Sequence, residues 1–206
     1  MKLILSDLDG TIVDIRTRRN LASYTKNNKE KVNWNIFHNP KVILDNDIIR
    51  YDIVQSINKL KEDTQLQFPN EKVYVVVVSG RDSGTEAYTN KWLTDISSYL
   101  NITADETAYK NNCNFWVASK MLKDAGLNYD KIIMRPHGNY ISDDILKLDW
   151  YNFDIKTGKI FGNIDYIEPV DIVAVYDDRP KVIKNTWEPL GLNIIDCNME
   201  PQRGYF

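Results

Sequence analysis

Five short apolar runs punctuate the chain, at residues 2–5, 72–78, 131–134, 172–176 and 192–195. The second is nearly continuous β-branched sequence, the pattern of a strand covered on both faces. Between these runs lie stretches with apolar residues at helical spacing. Within 47–60, Ile49, Ile53, Ile57 and Leu60 fall on one face, and within 180–190 so do Ile183, Trp187 and Leu190, with Gly191 as a stop. Residues 115–125, ended by Gly126, predict a third helix. Strands alternating with helices predict an α/β domain with a largely parallel sheet. Two stretches break the alternation. Residues 16–40 are far longer than a usual strand-to-helix connection, and Trp34 and Phe37, three apart, predict one side of a small cap helix. Residues 152–161 predict a β-hairpin around Thr157-Gly158.

Composition narrows the class. The 206 residues suit one domain with an insertion, and 43% hydrophobic against 27% charged residues is ordinary for a globular core. A net charge of −3 argues against a protein that coats nucleic acid by charge alone. Even so, residues 14–31 hold Arg16, Arg18, Arg19, Lys26, Lys29 and Lys31 against only Asp14 and Glu30, either a solvated face or a basic surface beside a site. Cys113 and Cys197 have no metal-like spacing, which fits a reducing cytosol. The N-terminus lacks the marks of a signal peptide, and no apolar stretch approaches a membrane span, so a cytoplasmic protein is expected.

In doubly wound sheets, ligands bind beyond the carboxyl ends of the strands. Asp7 and Asp9 follow the first run, Ser79, Gly80 and Arg81 the second, and Asp177, Asp178 and Arg179 the fourth. Four carboxylates this close repel one another, and a hard divalent cation, Mg²⁺, resolves that. Asp7 is a competent nucleophile towards phosphorus. Asp9, two residues on past Gly10, is placed to protonate a leaving oxygen and then deprotonate water. Ser79 and the Gly80 amide would hold phosphate oxygens, and a lysine opposite would neutralise charge built during transfer.

This set resembles the haloacid dehalogenase-like (HAD) phosphatase superfamily. Asp7-Leu-Asp-Gly-Thr11 is similar to its first motif, Ser79-Gly-Arg81 to its second and Asp177-Asp178 to its fourth. Its third-motif lysine is best matched by Lys147, with Lys156 and Lys159 as rivals. Within the superfamily the chain resembles the 3′-phosphatase domain of bacteriophage polynucleotide kinase and related phage phosphatases. That likeness rests on residues 75–85, on Met134-Arg-Pro136 with Asp143, Asp144 and Lys147, and on Asp177-Asp-Arg179 with Val182, Trp187 and Gly191. Gly204-Tyr-Phe206 and the set Asp14, Arg18, Trp34 and Phe37 extend it.

The resemblance implies a Rossmann-like parallel sheet with helices on both faces and one domain over 1–206. The chain departs from the family in a small cap insertion expected at 16–40 and a further insertion expected at 82–114, both beside the site's mouth. The resemblance also implies a Mg²⁺-dependent phosphomonoesterase working through an aspartyl-phosphate. Asp7, Asp9, Ser79 and Lys147 would be catalytic, and Asp7, Asp9, Asp177 and Asp178 would hold the metal. Thr11, Arg18, Gly80, Arg81 and Arg135 would contact substrate, a 3′-phosphate on a nucleic-acid end or nucleotide. No Gly-x-x-x-x-Gly-Lys-Ser/Thr loop is present, so no kinase accompanies it, and no protein partner or membrane is implied. Free mononucleotides or small phosphate esters are the alternative substrates, and a receiver-like phospho-acceptor is the remote alternative. Arg179 is expected to brace Asp177 or a helix start, and Asp45 and Asp47 to cap a helix before Ile48. His137 is expected in an exposed loop, and His38 to be structural or at the surface. Trp34, Tyr24 and Phe37 stack on a base or pack in the core.

Overall fold

The computed structural model describes residues 1–27, 29–85, 98, 101, 105–162 and 166–199. Its centre is a five-stranded sheet in the order β7-β6-β1-β8-β9, with every neighbouring pair parallel. The strands are β1 (Lys2–Ser6), β6 (Val73–Asp82), β7 (Lys131–Arg135), β8 (Ile172–Asp177) and β9 (Ile194–Asp196). All five apolar runs of the sequence are thus strands, because parallel strands covered on both faces must be apolar at almost every position.

Alternation of side chains along these strands feeds two cores. Ile4, Val75, Val77 and Ala174 face one side, against Val54 and Ile57 of α4 (Tyr51–Gln67) and Ala118 and Leu122 of α5 (Glu106–Asp124). Leu3, Leu5, Val76, Val78 and Val175 face the other, against Leu146 and Trp150 of α6 (Asp143–Trp150) and Trp187. This is a Rossmann-like α/β architecture. No helix of the described residues is long and apolar enough to cross a membrane.

Between β1 and α4 the chain builds a small layer beside the sheet. It runs through β2 (Val13–Asp14), α1 (Arg16–Ala22), the hairpin β3 (Ser23–Lys26) and β4 (Lys29–Val32), α2 (Trp34–Phe37), α3 (Pro40–Asn46) and β5 (Ile48–Ile49), which pairs with β2. Trp34 and Phe37 share α2 with ring centroids 5.5 Å apart, as their spacing predicts.

Three expectations are corrected. Residues 152–161 form no hairpin: Tyr151–Ile155 is a π-helical turn and Lys159–Phe161 a 3₁₀ turn, joined through Gly158 at φ +67°. Tyr151 and Ile155, four apart, are both buried in the second core, and that helical spacing outweighs the turn signal at Thr157-Gly158. Neither Asp45 nor Asp47 caps a helix start. Asp45 lies within α3, Asp47 follows its end, and α4 begins after Arg50. The helix at 180–190 is divided into Pro180–Val182, a π-helical turn Ile183–Trp187 and a 3₁₀ turn Glu188–Leu190, since Pro189 has no N–H to continue it. Of the stretch 82–114, expected as an insertion, Asp82 ends β6 and residues 106–114 are the first half of α5. Much of the rest, like Gly204-Tyr-Phe206, lies outside the described residues.

Candidate active site

Parallel register fixes which strand ends meet. Ser6 lies between Val77 of β6 and Tyr176 of β8, and the Asp7 amide donates to the Tyr176 carbonyl at 2.8 Å, so Asp7 emerges beside Asp177. After Asp9 the chain must reverse at once. Gly10 does so at φ +89°, and a Cβ there would collide with the Asp178 carboxylate. The turn closes through Gly10 N to Val13 O at 2.7 Å and Val13 N to Leu8 O at 2.9 Å.

Lys147, fully buried on α6, donates to Asp7 Oδ1 at 2.7 Å and to Asp177 Oδ2 at 2.8 Å. Asp177 also accepts from Trp187 Nε1 at 2.9 Å and from the Arg179 amide at 3.0 Å. Thr11 Oγ1 donates to Asp178 Oδ1 at 3.1 Å. One oxygen from each of Asp7, Asp177 and Asp178 lies within 4.8 Å of the others. Of the rival lysines, Lys159 pairs with Asp154 and Lys156 sits over the Tyr166 ring, away from the trio.

Three buried carboxylates share one ammonium here, so negative charge exceeds positive. Burial pushes Asp7 up to about 6; Lys147 works against that, and the Asp177 charge adds to it. Burial also raises Asp178 well above the carboxylate range, helped by the charges of Asp7 and Asp177. Lys147 is raised: burial opposes its charge, and Asp177 and Asp7 outweigh burial. A hard divalent cation fits this donor set, because it would offset both the cost of burying these carboxylates and their mutual repulsion.

Asp9 turns away from the trio. It accepts from Arg18 Nη2 at 2.9 Å and from Arg81 Nε at 3.1 Å, and it pairs with Arg81 Nη2 as well. Burial opposes its charge, but the two arginines prevail and hold its carboxyl far below the ordinary range. Asp47 grips the same arginines from behind, 2.8 Å from Arg18 Nε and 3.0 Å from Arg81 Nη2, and burial pushes it up to about 6. Arg18 is wholly buried, its guanidinium 4.4 Å from the Phe37 ring centre, so it supports Asp9 from beneath. The neighbouring Arg19 reaches the cleft instead.

The cleft over these groups has a volume of about 580 Å³. Asp7, Asp9, Gly80, Arg81, Arg135 and Asp178 line it, while Ser79, Thr11, Lys147 and Asp177 stand behind its wall. The Ser79 hydroxyl accepts from the Arg81 amide at 3.1 Å. Arg135 donates to the Gly80 carbonyl at 2.7 Å and to Asn139 O at 3.1 Å, and it pairs with Asp143, which also pairs with Arg179. A Cβ on Gly80 would strike Asp143, so the close approach of β6 to α6 needs this glycine. Arg135 therefore organises the rim. Arg179 meets Asp177 through its backbone and sends its side chain to Asp143.

Asp47, expected from the sequence to cap a helix, instead joins the site's arginines, and no site role was expected for Asp143, for Arg19 or for a pair formed by His137 Nδ1 and Asp82 Oδ1 at 3.0 Å. His137 is thus tied rather than a free loop histidine. His38 lines the cleft, stacked on Trp34 at 5.5 Å, and burial lowers it to about 4. Asp143 stands next to Asp144 and four residues before Lys147, and nothing local marks which of the two acids faces inward.

No family model and no curated protein matches the chain. Among solved structures it is similar to a chain of a Pnkp1/Rnl/Hen1 complex, with a TM-score of 0.54 and 17% identity over 100% of this chain and 47% of that one. It is also similar to a chain of the Pnkp1/Rnl/Hen1 RNA repair complex, with a TM-score of 0.55 and 17% identity over 100% of this chain and 43% of that one. The chain thus spans less than half the length of the chains it matches. At 17% identity the likeness establishes the fold, an α/β unit built on a five-stranded parallel sheet.

Proposed function

We propose that the protein is a Mg²⁺-dependent HAD-type phosphomonoesterase that removes the 3′-phosphate from nucleic-acid ends. The observation that carries this is Asp7 itself: a carboxylate at the cleft wall, held 2.7 Å from a buried lysine and grouped with two further carboxylates. Asp7, Asp177 and Asp178 would hold Mg²⁺, which supplies charge neutralisation to the phosphoryl group. Asp7 attacks phosphorus, so an Asp7–phosphorus bond forms as the ester P–O bond breaks. Lys147 fixes the carboxylate for attack and keeps it ionised against burial.

Asp9 protonates the leaving oxygen and later takes a proton from water, which then releases phosphate from Asp7. Its two arginines keep Asp9 ionised in the free protein. Arg81 lines the cleft, and its Nη1 has no hydrogen bond among the described residues. A phosphate drawing on Arg81 weakens that grip and lets Asp9 take up the proton it must give. Residues 16–40 then act as a cap over one domain. A nucleotidyl substrate is supported by the cleft's 580 Å³, since pockets of about 300–1,000 Å³ enclose far more than a phosphate, and by the half-exposed Trp34 at its edge. The RNA repair complex named among the similar structures points the same way.

Phosphate release from a 3′-phosphorylated oligonucleotide with Mg²⁺ tests the reading, with Asp7→Asn as the inactive control. Brisk turnover of free mononucleotides with none on the oligonucleotide would move the substrate to small esters. Activity retained in Asp7→Asn would refute the nucleophile.

A further inference from the structure

The hairpin β3–β4 carries an arrangement that a solvated loop does not need. Its register pairs Tyr24 with Lys31, Thr25 with Glu30 and Lys26 with Lys29. Alternation puts Tyr24, Lys26, Lys29 and Lys31 on one face, and all four are exposed. Ser23, Thr25, Glu30 and Val32 take the other face, where the Ser23 hydroxyl donates to Glu30 at 3.0 Å. The one acid of the hairpin is therefore directed away from the three lysines. Like charges directly opposite in an antiparallel pair are destabilising, yet Lys26 faces Lys29 at the tip. Asn27, directly after Lys26, takes the left-handed backbone common in tight hairpin turns, at φ +53°.

The hairpin also stands in a definite place. Asn33 N donates to Ala22 O at 2.8 Å and closes its base. The helix before it, α1, brings Arg19 to the cleft, and the helix after it, α2, brings Trp34 and Asn35. We infer that the Tyr24/Lys26/Lys29/Lys31 face binds the phosphodiester backbone of a single-stranded polynucleotide whose 3′ end occupies the cleft. Charge complementarity selects a polyanion, and the aromatic ring among the lysines gives a base a surface to stack on. This rests on the phosphatase reading and sharpens it, because a free mononucleotide has no chain to reach the hairpin.

The test is a Lys26→Ala/Lys29→Ala/Lys31→Ala variant, which changes only exposed side chains. Binding of a fluorescent, unphosphorylated single-stranded oligonucleotide is followed by anisotropy between 50 and 200 mM salt. Neutralising three phosphate contacts on a single strand predicts a slope of log affinity against log salt smaller by about 2, so the wild type loses roughly 16-fold more affinity over that range. Turnover of a 3′-phosphorylated mononucleotide is expected to stay unchanged, while KM for a 3′-phosphorylated oligonucleotide rises at low salt. An unchanged salt slope would overturn the inference, as would equal losses on mononucleotide and oligonucleotide. Equal salt-dependent retention of polyglutamate would overturn it in favour of a general anion surface. Anisotropy needs no chemistry, so it decides the question even if no 3′-phosphatase activity is found.

Discussion

At the residue scale, Asp7 is held where its charge is costly. It is 3% exposed and lies against Asp177, and its carboxyl is raised to about 6 despite the Lys147 contact. A carboxyl raised in the folded state binds more protons folded than unfolded between about 4 and 6. Stability from this group is therefore present at low pH and falls as pH rises through that window. Asp47, also raised to about 6, acts in the same direction, whereas Asp9, depressed, favours folding above its unfolded pKa. Without metal, Asp7→Asn should therefore be more stable than wild type at pH 7, by up to about 3 kcal/mol. The difference should shrink towards pH 4. Urea denaturation in chelator at the two pH values measures this, and an Asn variant less stable at pH 7 would contradict it. The same substitution should abolish phosphate release.

At the element scale, the reversal after β1 is a single glycine fitted against another strand's carboxylate. Gly10→Ala meets two obstacles, φ +89° and the Asp178 side chain. The left-handed backbone alone costs an alanine about 1–2 kcal/mol. Displacing Asp178 should also lower kcat, by up to about 100-fold if the catalytic geometry shifts by about 1 Å. Thermal melting and steady-state rates check both, and a fully active, equally stable variant would show that the turn tolerates a side chain. The glycine and the two aspartates before it were legible in the sequence, as were the five strands, because a parallel sheet demands apolar runs and its sites follow them. Lys147 was legible only through its motif, with two rivals that the fold sends elsewhere. Asp47 was not legible. Its partners, Arg18 and Arg81, lie 29 and 34 residues away, and locally it is one more polar residue before Ile48. The absent hairpin at 152–161 has a similar cause: turn residues were visible, but the packing of Tyr151 and Ile155 into a core decides what the turn joins.

At the scale of the whole molecule, the candidate metal ligands come from two adjacent strands that are far apart in sequence, with Asp7 after β1 and Asp177 and Asp178 at the end of β8. A cation bound there would tie the first strand to the fourth-run strand and neutralise charge that folding must otherwise bury. Ligand that binds only the folded state stabilises by mass action, about 2.7 kcal/mol at a concentration 100 times its Kd. For a chain of this length, each kcal/mol moves Tm by about 2–4 °C, so saturating Mg²⁺ should raise Tm by roughly 5–11 °C. Asp178→Asn removes a carboxylate from the trio and should largely abolish that rise, while its metal-free Tm should equal or exceed that of wild type because a raised carboxyl is gone. Lys26→Ala, on the exposed hairpin, should leave the Mg²⁺ response intact. A wild-type Tm indifferent to Mg²⁺, or an Asp178→Asn protein that responds as fully as wild type, would remove the metal from this site.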